Sequence, residues 1–156
     1  MVQILTHRKA KIMSPASHQP AANETIDDFV SLLFQRLIYQ DNLEVVEASW
    51  AQDVAEDVYI SINGTILLGA KYLELVKGFH ATAAAKLQKK EMLVVAPGKD
   101  DGGRTGTVSS SAQVLVMHKD GKVVDQSSVL IVQVGEKDGR RIMTSLVEVT
   151  LEKTRA

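Results

Sequence analysis

Histidine, tyrosine and serine are the residues of this chain placed to move or hold a proton. His80 stands in "AKYLELVKGFHATAAAK". On a helical wheel it shares a broad face with Tyr72, Leu73, Val76, Phe79 and Ala83. A half-buried imidazole there titrates near neutral pH and serves as a general acid or base. The same position equally fits a histidine packed at a helix end with a backbone hydrogen bond. Tyr72, on that face, and Tyr39, at the end of an earlier helical stretch, are candidate ligand contacts. Trp50, the single tryptophan, either seals the floor of a pocket or stacks on a ligand. Tyr59 and Ser61 share one side of "VYISIN", opposite Ile60 and Ile62. Facing a pocket, they would hydrogen-bond a carbonyl or enolate oxygen. The apolar parity of Ile60 and Ile62 instead assigns them to the surface. In "TVSSSAQ", Ser109, Ser111 and Gln113 lie on one side and Ser110 on the other, with Ser127 and Ser128 on the next strand. Buried hydroxyls need partners, so Ser111, Gln113 and Ser128 either orient a polar ligand group or make room where the sheet bends.

Other chemistries find no support. The chain has no cysteine, which removes disulfides, thiolate metal sites and a cysteine nucleophile. Its histidines, His7, His18, His80 and His118, have no metal-ligand spacing, so no metal and no cofactor is expected. "GKDDGGRTG" lacks the phosphate-loop spacing and precedes a strand, which makes it a flexible hairpin loop. No G-x-S-x-G elbow is present. The Lys86, Lys89 and Lys90 cluster reads as a solvated helix end and strand start. With a net charge of −1, no nucleic-acid partner is expected. No apolar run reaches the roughly 20 residues that span a bilayer, so no membrane partner is expected and the cytoplasm is the expected compartment. The acid-free start before Glu24, with Arg8, Lys9 and Lys11, leaves a mitochondrial address as the minor alternative.

The elements that must position these residues follow from periodicity. Residues 1–23 read as a flexible basic arm, and 24–156 as one domain. Ile26, Phe29, Val30, Leu33 and Leu37 recur at three and four residues and predict a first helix, with Asn23 or Thr25 as its cap. A shorter helix fits Leu43 to Trp50. Val58 to Asn63 alternates as a strand, and Asn63-Gly64 predicts a type I′ hairpin into "TILLG". Gly69 releases the chain into a third helix over about Ala70 to Ala85. From Gln88 onward, four strands joined by Gly-containing turns form an antiparallel meander. In "SSVLIVQV" both parities are apolar. Both sheet faces therefore need cover, the helices on one and a second copy of the chain on the other.

Helix, helix, hairpin, helix and meander together resemble the NTF2-like superfamily, especially its SnoaL-like branch. The residues that carry the resemblance are Trp50 before the first strand, "NG", and "LLGAKYLELVKGF". It covers about residues 24 to 152. It implies an α+β cone with three helices packed on a curved antiparallel sheet and a pocket between them. It also implies an isomerase, cyclase or dehydratase, or a non-catalytic transport or dimerisation module. The acid–base residues of ketosteroid-isomerase-like members would fall near Ser61, Leu33 and Leu130, none of which matches. The histidine pair of scytalone-dehydratase-like members leaves only His118, at a strand end. The late-strand aspartate of SnoaL-type cyclases leaves Asp125, near a turn. The expectation is a small-molecule pocket protein, acting without cofactor on an apolar oxygenated substrate such as a polyketide or terpenoid. His80 is its acid–base candidate, and the chain is a homodimer through the sheet face. The alternative is a non-catalytic ligand-binding or protein-association module.

Overall fold

The computed structural model describes residues 24–155. The arm expected over 1–23 lies outside them. Helix α1 (Ile26–Leu37) starts with a reciprocal cap: Thr25 Oγ1 accepts from Asp28 N, and Asp28 Oδ2 accepts from Thr25 N. Helix α2 (Leu43–Asp53) is capped by Asn42 Oδ1, which accepts from Glu44 N at 3.0 Å. Strand β1 (Val54–Ile62) turns at Asn63 and Gly64 into β2 (Thr65–Leu67). Both turn residues have positive φ, 49° and 80°, as the type I′ turn requires.

Helix α3 (Gly69–Thr82) begins at a glycine because space demands it. A Cβ on Gly69 would lie 2.9 Å from Val58 Cγ1 and 3.4 Å from Trp50 Cζ2. The helix ends three residues earlier than its alanine-rich sequence predicts. Ala83, Ala84 and Ala85 instead pair with His118, Met117 and Val116 as the start of β3 (Ala83–Pro97). Helix propensity is a weak preference, and sheet pairing overrides it here. Three strands follow: β4 (Gly106–His118), β5 (Val123–Lys137) and β6 (Arg140–Thr154). The loop before β4 is organised around Asp101. Its carboxylate accepts from the backbone N–H groups of Gly103, Arg104 and Thr105, so an internal anion already occupies these donors.

The six strands form one sheet in the order β2-β1-β6-β5-β4-β3. It is antiparallel except where β1 runs parallel to β6. The three helices cover one face. Leu33 and Leu37 of α1 and Val46 of α2 are fully buried there against Ile60, Val132, Met143 and Leu146. Truncating such a leucine to alanine typically costs about 2–5 kcal/mol. Arg36 of α1 pairs with Asp53 of α2 at 3.0 Å. The other face leaves Val129, Ile131, Val149 and Leu151 exposed, Leu151 at 75%. The outer face thus carries the second apolar parity of these strands.

Candidate functional site

A cavity of about 190 Å³ lies between the helices and the inner face of the sheet. Phe34, Ile38 and Tyr39 enter from α1 and the turn after it, and Tyr72, Val76 and Phe79 from α3. The sheet contributes Ala112, Val114 and Val116 of β4, Gln126, Ser128 and Leu130 of β5, and Glu148 of β6. The register explains the floor. Leu130 pairs with Glu148, and Ser128 with both Ala112 and Thr150. Directly opposed residues of antiparallel strands share a face, so these side chains stand together.

Glu148 is the one carboxyl in an otherwise apolar and neutral lining. Burial disfavours its charge and raises its pKa above the ordinary 4.5, while the Ser128 hydroxyl pulls the other way. Ser128 is itself buried, accepting from Gln126 Nε2 and donating to Thr150 Oγ1. Burial, and then the Glu148 charge, push the Tyr39 phenol up to about 12 and raise Tyr72 further. Both phenols thus stay protonated and able to donate. The hairpin holds this stretch of β6 in place. Asn63 N donates to the Glu148 carbonyl at 2.9 Å, and Asn63 Oδ1 accepts from Thr150 N at 2.8 Å. A carboxyl of raised pKa beside two phenolic donors is equipped to take a proton from carbon and steady the oxygen that gains charge.

The structure brings three of the expected residues together, Tyr39, Tyr72 and Ser128. His80 does not line this cavity but borders it. Its Nε2–H donates to the Leu37 carbonyl at 2.7 Å, and it lines an adjoining recess with Gln40, Asp41 and Ala84 that shares Ile38, Tyr39 and Ala85 with the cavity. The helix-end alternative describes this geometry. Trp50 packs against Tyr72 with ring centroids 5.8 Å apart, at the edge of the core. Tyr59 is exposed on the outer sheet face, and Ser61 is buried on that same face. Ser111 and Gln113 also lie on the outer face, in register with Val129 and Ser127. Asp125 is half-buried and accepts from Arg155 Nε and Nη2, each at 2.7 Å. His118 ends β4 at the turn.

Two inward residues escaped the sequence reading. Glu148 sits in "SLVEVTLE", where Val147, Val149 and Leu151 look like the buried parity, but the helices cover the other one. Its shared parity with Leu146 is the signal available. Lys90 is the second. Register slips between Leu87 and Lys89, leaving Gln88 as an extra residue. That bulge reverses the alternation, so Lys90 and not Lys89 faces inward with Leu87. The solvated lysine cluster is corrected accordingly: Lys86 and Lys89 are exposed, while Lys90 is half-buried. Lys90 lines a second cavity of about 140 Å³ with Ser31, Gln35 and Leu87. This cavity shares Phe34, Tyr39, Ala112 and Leu130 with the first. Among the described residues, no group of three His, Asp or Glu side chains is placed to hold a metal ion, and no helix is long and apolar enough to cross a membrane.

Comparison with protein-family models and with curated protein sequences yields no match. Solved structures do match. A type 2 hexachlorocyclohexane dehydrochlorinase (LinA) is 12% identical, with a TM-score of 0.57, covering 84% of this chain and 93% of its own. A Xanthomonas campestris protein named for the calcium/calmodulin-dependent protein kinase II association domain is 14% identical, with a TM-score of 0.56, covering 94% and 98%. An NTF2-like protein from Exiguobacterium sp. 255-15 is 15% identical, with a TM-score of 0.55, covering 82% and 98%. The α+β class and the NTF2-like fold stand as expected, and the sheet departs from the expected antiparallel one where β1 runs parallel to β6.

Proposed function

We propose that the protein is a SnoaL-like small-molecule pocket protein. In this reading it catalyses proton transfer within an apolar, oxygenated substrate, without a cofactor. The observation that carries the proposal is the Glu148 carboxyl in the cavity floor, half-buried among apolar side chains and flanked by Ser128, Tyr39 and Tyr72. The acid–base role that the sequence assigns to His80 passes to Glu148, because His80 donates to a main-chain carbonyl outside this cavity. Ionised Glu148 removes a proton from carbon next to a carbonyl. Tyr39 or Tyr72 donates to the enolate oxygen, and Glu148 returns the proton to another carbon. That sequence isomerises; with a leaving group or a second carbonyl in reach, it eliminates or closes a ring.

Solvent deuterium exchange tests this without knowledge of the substrate. A panel of cyclic and aryl ketones is incubated in deuterium oxide and followed by proton NMR. The wild type is expected to accelerate exchange at the carbon next to the carbonyl for at least one ketone, and Glu148→Gln to abolish it. Exchange that survives in Glu148→Gln contradicts the role of Glu148.

The outer sheet face supports a second component of the proposal, a homodimer through that face. Val129 and Val149 pair across β5 and β6, and Ile131 and Leu151 share their face two residues along each strand, all well exposed. A contiguous apolar patch of this kind marks an association surface. Should no ligand enter the cavity, this face favours a non-catalytic association module.

A further inference from the structure

Lys90 has no role in the proton-transfer reading, yet the fold turns it inward. One extra residue, Gln88, reverses the strand alternation, and bulges that re-aim a side chain recur beside binding sites. Of the neighbouring lysines, Lys89 stays outside and reaches Glu91 at 3.7 Å. Lys90 Nζ instead donates to Ser31 Oγ of α1 at 2.7 Å. Among the described residues, that neutral hydroxyl is its hydrogen-bond partner, and no carboxylate lies within ion-pair distance. The Asp27 charge acts on it and opposes the burial that lowers the lysine. An ammonium carries three donors, so two are left to offer.

The surrounding surface is apolar. Val30, Phe34, Leu87, Ala112 and Leu130 form most of the wall, and four of the lining residues also line the Glu148 cavity. The lobes, about 190 and 140 Å³, together reach the low end of the roughly 300–1,000 Å³ typical of ligand sites. Lys90 and Glu148 stand on β3 and β6, three strands apart. That is roughly 14 Å between strand axes, shortened by the reach of two long side chains. Two apolar lobes thus adjoin across Phe34, Tyr39, Ala112 and Leu130, one holding a lysine and the other a carboxyl.

We propose that the Lys90 lobe is a carboxylate-binding subsite. Lys90, steadied by Ser31, holds the acid group of an elongated ligand. Its apolar body lies on Phe34, Ala112 and Leu130, and its far end reaches Glu148. The ligand class is thus a keto acid with several carbons between its two oxygenated ends. The assignment of the far end rests on the proton-transfer reading; the carboxylate subsite does not.

The test is binding of a graded series of aryl and alkyl keto acids against their methyl esters, by calorimetry. The wild type is expected to bind at least one acid about tenfold more tightly than its ester. Lys90→Met and Lys90→Gln are expected to erase that preference, and Lys89→Met, on the outer face, to keep it. Glu148→Gln is expected to keep it too, while losing deuterium exchange. The subsite and the proton-transfer role therefore fail separately. Equal binding of acid and ester, no acid bound at ~1 mM, or a preference that survives in either folded Lys90 variant overturns the proposal. A loss equally large in Lys89→Met also overturns it, because that outcome assigns the effect to diffuse surface charge.

Discussion

Replacing Asn63 separates two contributions of the hairpin that frames the site. Asn63 has φ of 49°, in the left-handed region, where a Cβ residue without a short polar side chain costs about 1–2 kcal/mol. Its Oδ1 also accepts from Thr150 N at 2.8 Å, and such a hydrogen bond is worth about 0.5–1.5 kcal/mol. Asn63→Gly keeps the backbone conformation and loses only the hydrogen bond. Asn63→Ala loses both. Because water reaches the Thr150 amide, the lower half of the hydrogen-bond range applies. The expected losses are then about 0.5–1 kcal/mol for glycine and about 1.5–3 kcal/mol for alanine. For a chain of this size, each kcal/mol moves Tm by about 2–4 °C. Glycine should therefore lower Tm by about 1–4 °C and alanine by about 3–12 °C. Asn63→Asp, which keeps an acceptor and tolerates the left-handed region, should fall nearest the wild type. Urea unfolding monitored by Trp50 fluorescence gives the free energies directly. If alanine and glycine cost the same, the backbone argument is wrong. If both match the wild type, the clamp on β6 contributes nothing.

Burial raises the Glu148 carboxyl above 4.5, so the native state binds that proton more tightly than the unfolded chain does. Its contribution to stability is full below the unfolded value and is lost as pH rises through the folded one, at about 1.4 kcal/mol per pKa unit. Glu148→Gln should therefore gain stability relative to wild type as pH rises from the unfolded value through the folded one, measured by urea unfolding; a constant difference contradicts this. Gly69→Ala places a Cβ 2.9 Å from Val58 Cγ1 and should cost about 1–3 kcal/mol as overpacking, read as a lower urea midpoint. Leu151→Glu puts a charge in the exposed outer patch and should convert a dimer to a monomer in sedimentation velocity. An unchanged mass in the variant, or a wild-type monomer, removes the sheet-face association.

The sequence carries the frame more fully than the site, for identifiable physical reasons. The stripe from Ile26 to Leu37, its Thr25 cap and the Asn63-Gly64 turn depend on neighbours within a few residues, and all three appear as read. The end of α3 depends on β4, far along the chain, so local propensity overextends it. Lys90 depends on a single inserted residue. A strand has period two, so one extra residue flips every position beyond it, and no turn signal marks the slip. Glu148 depends on which face the helices cover. Both parities of β6 carry apolar residues, Leu146 on one and Val147, Val149 and Leu151 on the other, so the pattern alone does not choose. Tyr72 came from the helix wheel, which sets it beside Leu73 and Val76, Tyr39 from its place at the end of the first helical stretch, and Ser128 from the need of buried hydroxyls for partners. His80 had the right face of α3, yet it stands near the end of the helix, where the Leu37 carbonyl meets it.

The ionisation of Glu148 decides the account most directly. Carbon-13 labelling of glutamate side chains, with Glu148→Gln to assign the resonance, gives the midpoint of this one carboxyl by NMR titration of the folded protein. Burial in the cavity predicts a midpoint clearly above 4.5, poised for proton transfer closer to neutral pH. A midpoint at or below 4.5 would mean a solvated or ion-paired carboxylate, and Glu148 would not be the acid–base group of an enclosed site.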